Sequence, residues 1–147
     1  MAVSILSVAR TLGRISGWSL SNLELQKMSY MAEMIHLGKT GGSELCREDF
    51  EAWDNGPVVP LLYRTAKSFG SKPVRDVFPT SYLVPGTSEY DSVATGYNLL
   101  KDKNPGQMVA ITHRRDGAWA KRYRPGAKGI VIPKSLILEE YRTRMRG

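Results

Sequence analysis

The chain has 147 residues, 41% of them apolar and 24% charged, a length and balance that suit one domain with its own core and exclude the disordered and fibrous classes. A lone cysteine, Cys46, excludes an internal disulfide and a multi-cysteine zinc site, and it fits a reducing compartment, most simply the cytoplasm. The net charge of +7 is unevenly spread: residues 1–100 carry nine Lys/Arg against ten Asp/Glu, whereas residues 101–147 carry twelve against four, so the C-terminal third should attract an anionic partner, nucleic acid or acidic protein.

At the start, MAVSILSVARTLGRIS holds Val3, Ile5, Leu6, Ala9, Leu12 and Ile15 at helical spacing, and Gly17 follows as a stop. Arginines interrupt this stretch and no small-residue cleavage site follows, so it reads as a helix rather than a leader peptide. No apolar run approaches the ~18–20 residues a membrane span needs, and no membrane partner is expected. A second helix starts at Ser21-Asn22-Leu23-Glu24, the S-x-x-E form of a capping box. Leu25, Met28, Ala32 and Ile35 form one face of it, while Tyr30, Met31 and Met34 widen the stripe until the helix is buried on more than one side. Gly38 is placed to end it.

The passage Phe50–Tyr63, FEAWDNGPVVPLLY, organises the middle of the chain. FEAW is too short to assign as helix or strand. Asn55-Gly56 supplies a turn at which positive φ is inexpensive. Pro60 suits a first helical position, where its missing N–H is no loss, so a third helix is expected from Pro60 to Phe69 with Gly70 terminating it. Trp53 and Phe50 clamp this corner from upstream, either as a buried helix entry or as a binding surface. Residues 71–87 hold three prolines and no period, which predicts an extended connection. A fourth helix begins near Ser88 and runs through Leu100, weakened at Gly96 by about 1 kcal/mol relative to alanine. Asn104-Pro105 caps a fifth that reaches Thr112-His113. Asp116-Gly117 breaks the chain before a short piece, Ala118–Tyr123; GIVIP is extended, and Pro133 opens the last helix with Leu136, Ile137 and Tyr141 inward. The expected fold is mainly α, a single domain over residues 1–147 made of short helices broken by proline and glycine, with at most short extended segments.

Catalytic and metal chemistry find little support. Cys46 lies in a polar loop between glutamates, without a nucleophile turn or an oxyanion loop, and nearby carboxylates raise a thiol pKa. His36 and His113 lack H-E-x-x-H or C-x-x-C spacing, and Gly41-Gly42 lacks a following Lys-Ser/Thr. His113 is expected as a hydrogen-bonding residue near a helix end, where a cation helps. No cofactor or metal is expected, and no enzyme. A basic run, Arg114, Arg115, Lys121, Arg122, Arg124, Lys128 and Lys134, interleaved with Trp119 and Tyr123, has the composition that stacks bases and neutralises phosphates, although no helix-turn-helix or zinc finger accompanies it. Cations at Arg142, Arg144 and Arg146 favour the dipole of the last helix.

Several of these pieces together resemble the SocA-like Panacea antitoxin family, also met among phage-associated proteins. The resemblance lies in Leu25-Gln26-Lys27-Met28 with Tyr30, in Phe50-Glu51-Ala52-Trp53 leading to Gly56-Pro57-Val58-Val59-Pro60 and Tyr63, in Ile111-Thr112-His113 with Gly117-Ala118-Trp119, and in Ile132-Pro133 with Glu139–Tyr141. Two features depart from the family pattern: methionines stand where the second helix usually carries aromatics, and Gly96 interrupts the fourth helix. The resemblance implies a non-enzymatic antitoxin that neutralises a cognate protein toxin, expected as the product of the adjacent gene, by binding and occluding it; a protease adaptor that delivers the toxin for degradation and a nucleic-acid-binding regulator are the alternatives. Large aromatics and arginines anchor interfaces, so the expected partner-binding residues are the exposed faces around Trp53, Asp54, Asn55 and Val58 and the basic stretch of Arg114, Arg115, Trp119 and Arg122.

Overall fold

Local signals settle most of the helix ends. In the computed structural model, which describes residues 1–146, α1 (Ile5–Ser16) begins at Ser4, whose hydroxyl accepts from Leu6 N, and ends at Gly17 in the left-handed region. α2 (Asn22–Lys39) opens with the expected capping box of Ser21 and Glu24. α3 (Pro60–Ala66) has proline in its first turn and tightens into a 3₁₀ turn, Lys67–Phe69, before Gly70. α4 (Ser88–Leu100) is capped by Thr87, and α5 (Pro105–Thr112) by a second capping box, Asn104 with Gln107. α6 (Ala118–Arg122) and α7 (Lys134–Arg146) complete a mainly α chain.

The FEAW passage, too short to assign from the sequence, is a strand. β1 (Phe50–Trp53) turns at Asp54-Asn55 into β2 (Gly56–Val58), and β3 (Val131–Ile132) pairs on the other side of β1, giving an antiparallel sheet of order β2-β1-β3. Trp53 faces Gly56 across the hairpin and Phe50 faces Ile132. Gly56 has φ 114, which only glycine adopts without strain. Val59 then leads straight into Pro60, so hairpin and helix share one rigid corner.

α2 is the axis of the fold, packed against α1, α3, α4, α5, α7 and β2. That surround explains why its apolar residues go nearly all the way round and why Gln26, Lys27, Ser29, Glu33 and His36 are buried along with them. Gly96 does not interrupt α4. It faces the α2 backbone so closely that a Cβ would lie 3.0 Å from Ala32 N and 3.1 Å from Met28 O, and the cost in helix propensity is offset by the close crossing of two helices. Gly38 likewise does not end α2; it lies within the helix beneath the Tyr141 ring, and the helix ends at Lys39 with Thr40 as its cap.

One buried carboxylate fixes the last two helices against α2. Glu140, 1% exposed, accepts from Tyr30 Oη at 2.7 Å and from the Ala118 amide at 2.9 Å, and it takes two bonds from Arg144. A carboxylate with this many charge-assisted partners is compensated despite its burial. Arg144 also donates to Ile111 O at 2.7 Å, so this cation ties α7 to α5 rather than serving only the helix dipole. Among the described residues no helix is long and apolar enough to cross a membrane.

Candidate functional site

The outer edge of β2 has no further strand, and side chains from α2 take its place. Gln26 pairs with both backbone groups of Val59: its Oε1 accepts from Val59 N at 2.9 Å and its Nε2 donates to Val59 O at 3.4 Å. Lys27 Nζ donates to Pro57 O at 3.3 Å. Asn22, one turn before Gln26, reaches toward Tyr63 O at 3.5 Å. Pro57 has no N–H to satisfy, so Gln26 and Lys27 complete the edge while Asn22 reaches on to α3.

The hairpin tip rests on a ladder of rings. His113, the cap of α5, stacks on Trp119 with centroids 3.7 Å apart and planes 5° apart, and Trp119 stacks on Tyr123 at 4.5 Å. Trp119 Nε1 donates to Trp53 O at 2.7 Å, and Tyr123 Oη donates to the Asp54 carboxylate. Trp53 packs edge-on against Tyr63 at 5.0 Å and donates from Nε1 to Glu51 at 3.0 Å. The turn residues Asp54 and Asn55 are thereby exposed yet held by α6 from below and α3 from the side.

Between the start of α2, the hairpin, α3 and the loop Gly126–Gly129 lies a groove of about 780 Å³, within the range of ligand sites. Trp53, Asp54, Asn55 and Val58 line it together with Gln26, Lys27, Tyr63, Lys67 and Lys128. Burial lowers the Lys27 pKa to about 8. The His113 pKa is lowered by burial first and by the nearby Lys27 second, with the Asn55 backbone working the other way. The expectation of a helpful cation at His113 therefore fails: the ring is held neutral between Trp119 and a buried ammonium.

The structure brings Trp53, Asp54, Asn55 and Val58 into one face but changes how two of the expected residues act. Val58 and Trp119 are 6% and 9% exposed, so neither presents an open surface; Val58 lines the groove and Trp119 supports the hairpin. Arg115 and Arg122 are exposed, whereas Arg114 is half-buried and paired with Asp116. Trp119, between two other rings, offers no free face for a base. Sequence reasoning passed over Gln26 and Lys27 as site residues. Their signal was the apolar circumference of α2, since a helix buried all round must bury its polar side chains too.

Cys46 is not in a solvated loop but buried beside α2. Its Sγ donates to Glu33 at 3.2 Å and to Glu48 O at 3.5 Å, and burial first, then Glu33, pushes the thiol well above its ordinary range. Both imidazoles are engaged elsewhere, His36 with Ser43 O and Ser88 and His113 with Trp119. Among the described residues no group of three or more His, Cys, Asp or Glu is placed to hold a metal.

Comparison with known proteins points to one family. Residues 25–83, which contain most of the groove, match the family model described as antitoxin SocA-like, Panacea domain. Antitoxin SocA of Caulobacter vibrioides (strain NA1000 / CB15N) is 28% identical over 110 residues, covering 68% of this chain and 58% of its own length. The chain thus spans little more than half of that relative. No solved structure matches.

Proposed function

We propose for this chain, which is similar to the SocA-like Panacea antitoxin family over residues 25–83, the role of a cytoplasmic antitoxin that binds a cognate protein toxin, encoded by the adjacent gene, and neutralises it by steric occlusion. The observation that carries this reading is the hairpin tip, an exposed turn immobilised by Tyr123, Trp119 and Tyr63 beside a groove. A rigid, aromatic-anchored protrusion binds with little ordering cost. An interface of ordinary size buries ~800 Å² per partner, enough to cover an active site. Trp53, Asp54 and Asn55 are the proposed contacts, Arg114, Arg115 and Arg122 their basic flank, with Val58 in the groove wall and Trp119 as support. The role needs no bond-making chemistry.

Co-expression with the adjacent gene product tests it. The partner alone should arrest growth, this chain should restore it, and Asn55→Arg, which leaves the Asp54 bond to Tyr123 in place, should abolish the rescue while leaving the melting temperature unchanged. A partner that is harmless alone, or lethal in the presence of this chain, overturns the reading. If the partner's half-life falls when this chain is present, delivery to a protease replaces occlusion.

A nucleic-acid-binding regulator is the second reading, favoured by the exposed Arg115, Arg122, Arg124 and Lys128 in the C-terminal third. Phosphate contacts would make affinity fall steeply with salt in a gel-shift series on DNA and RNA. A salt-insensitive or absent shift removes it.

A further inference from the structure

Lys27 is 1% exposed, yet it has no carboxylate within reach among the described residues. Its one recorded bond goes to a neutral carbonyl, Pro57 O at 3.3 Å. A single neutral acceptor does not compensate a buried ammonium, whose remaining two donors stay unmet. Lys27 also lines the groove, so its unmet charge borders the one large concavity described on this face.

A second unpartnered group lies at the same spot. A Cβ on Gly56 would fall 2.7 Å from Lys27 Nζ, 3.1 Å from Thr112 Oγ1 and 3.3 Å from His113 Nε2. Thr112 is committed to Met108 O and Val109 O, but His113 Nε2 is buried without a partner. Lysine and imidazole thus converge on the back of the hairpin turn, where glycine leaves room. At the rim, Lys67 and Lys128 add positive charge. The two acids of the groove are occupied, Glu51 by Trp53 Nε1 and Asp54 by Tyr123 Oη.

We propose that this groove receives an acidic side chain, glutamate or aspartate, from an extended segment of the protein partner, and that its carboxylate pairs with Lys27. The proposal rests on the antitoxin reading for the identity of the partner, but not for the chemistry of the site. A carboxylate entering beside Lys27 supplies the missing counter-charge and exchanges an unpaired buried ion for a charge-assisted pair. The wall formed by Trp53, Tyr63 and Val58 excludes water around it and gives the segment an apolar contact. In this arrangement the hairpin positions the partner and Lys27 selects for an acid at one point along it.

The test uses the full chain and a random heptapeptide library displayed with its C-terminus tethered, so that only side-chain carboxylates are offered. Enriched peptides should share an Asp or Glu at one position, and synthetic copies with amidated ends should lose about tenfold or more in affinity when that residue becomes Asn or Gln. Lys27→Met should cause the same loss while melting no lower than the parent. Ala127→Glu, which leaves Lys27 intact and adds a like charge on the exposed rim, should weaken the same peptides. Absence of enrichment, enriched peptides without a shared acid, binding only by free C-termini, or affinity indifferent to Lys27→Met each overturns the proposal. A parent chain that binds no peptide yet still rescues from the toxin refutes the groove pairing and leaves the antitoxin reading standing; peptide binding without rescue does the reverse.

Discussion

Two lysines at the same helix meet opposite fates, Lys27 buried on α2 and Lys134 part-buried against it. Lys134, at the start of α7, donates to Glu33 at 3.0 Å, Glu44 at 3.3 Å and Cys46 O at 2.8 Å. Burial pulls its pKa down, but the facing Cys46, Glu33 and Glu44 outweigh burial and hold it above the ordinary range. Glu33 is in turn saturated, taking the amides of Leu45 and Cys46. Lys27, two turns earlier on α2, has a carbonyl and nothing anionic, and its pKa falls to about 8. The same side chain is a closed structural joint where it is part-buried at Lys134 and an open charge where it is fully buried at Lys27. Closure of a polar network holds the fold together, and the place left open borders a groove.

The contrast breaks most readily at the closed end. Lys134→Met leaves Glu33 buried without its cation and should cost about 3–5 kcal/mol, read from urea unfolding. An effect below about 1 kcal/mol would show that the backbone amides alone satisfy Glu33. The next effect is pH-dependent. Because the folded Lys27 releases its proton near pH 8 and the unfolded chain near 10.5, the unfolded state holds more protons in that window, and stability rises with pH across it. The penalty is present in full below pH 8 and gone above 10.5, about 3 kcal/mol in all. His113 stacks nearby but is already neutral there, and Thr112 does not titrate, so the difference between parent and Lys27→Met isolates the lysine. A parent and variant with parallel pH profiles would contradict the open-charge picture.

At pH 7 Lys27→Met itself should stabilise the fold by about 1–2 kcal/mol, since removing the desolvated charge outweighs the lost bond to Pro57 O. This is opposite in sign to Lys134→Met, and a shared sign would erase the distinction between the two sites. Smallest of all, Lys121→Ala removes the exposed pair with Glu139 and should change stability by about 0–1 kcal/mol, the value of an ion pair in water.

The helix ends were legible because their causes are local. The capping box at Ser21, the cap at Asn104 and the proline that opens α3 depend on residues within one turn, and each stands as the pattern indicates. FEAW was not legible, because its near partner, Gly56–Val58, is three residues long and contains a proline, and its other partner, Val131–Ile132, lies some eighty residues away in the chain. Gly96 misled for the same reason: within its own helix it is a weak residue, and its partner is the α2 backbone. Of the site, Trp53, Asp54 and Asn55 announce themselves as a turn flanked by a large aromatic. Val58 and Trp119 announce themselves equally, but their burial follows from neighbours that the sequence does not place.

By itself the sequence determined a mainly α chain, its caps, its charged C-terminal third and its family resemblance, since propensity, capping and composition act over a few residues or over none. Tertiary structure alone decided that Gln26 and Lys27 close the edge of a strand, that three rings hold up a hairpin, and that Lys134 meets anions while the buried Lys27 meets none. Those outcomes depend on which distant side chains share a low-dielectric interior, where a missing partner matters more than any local preference.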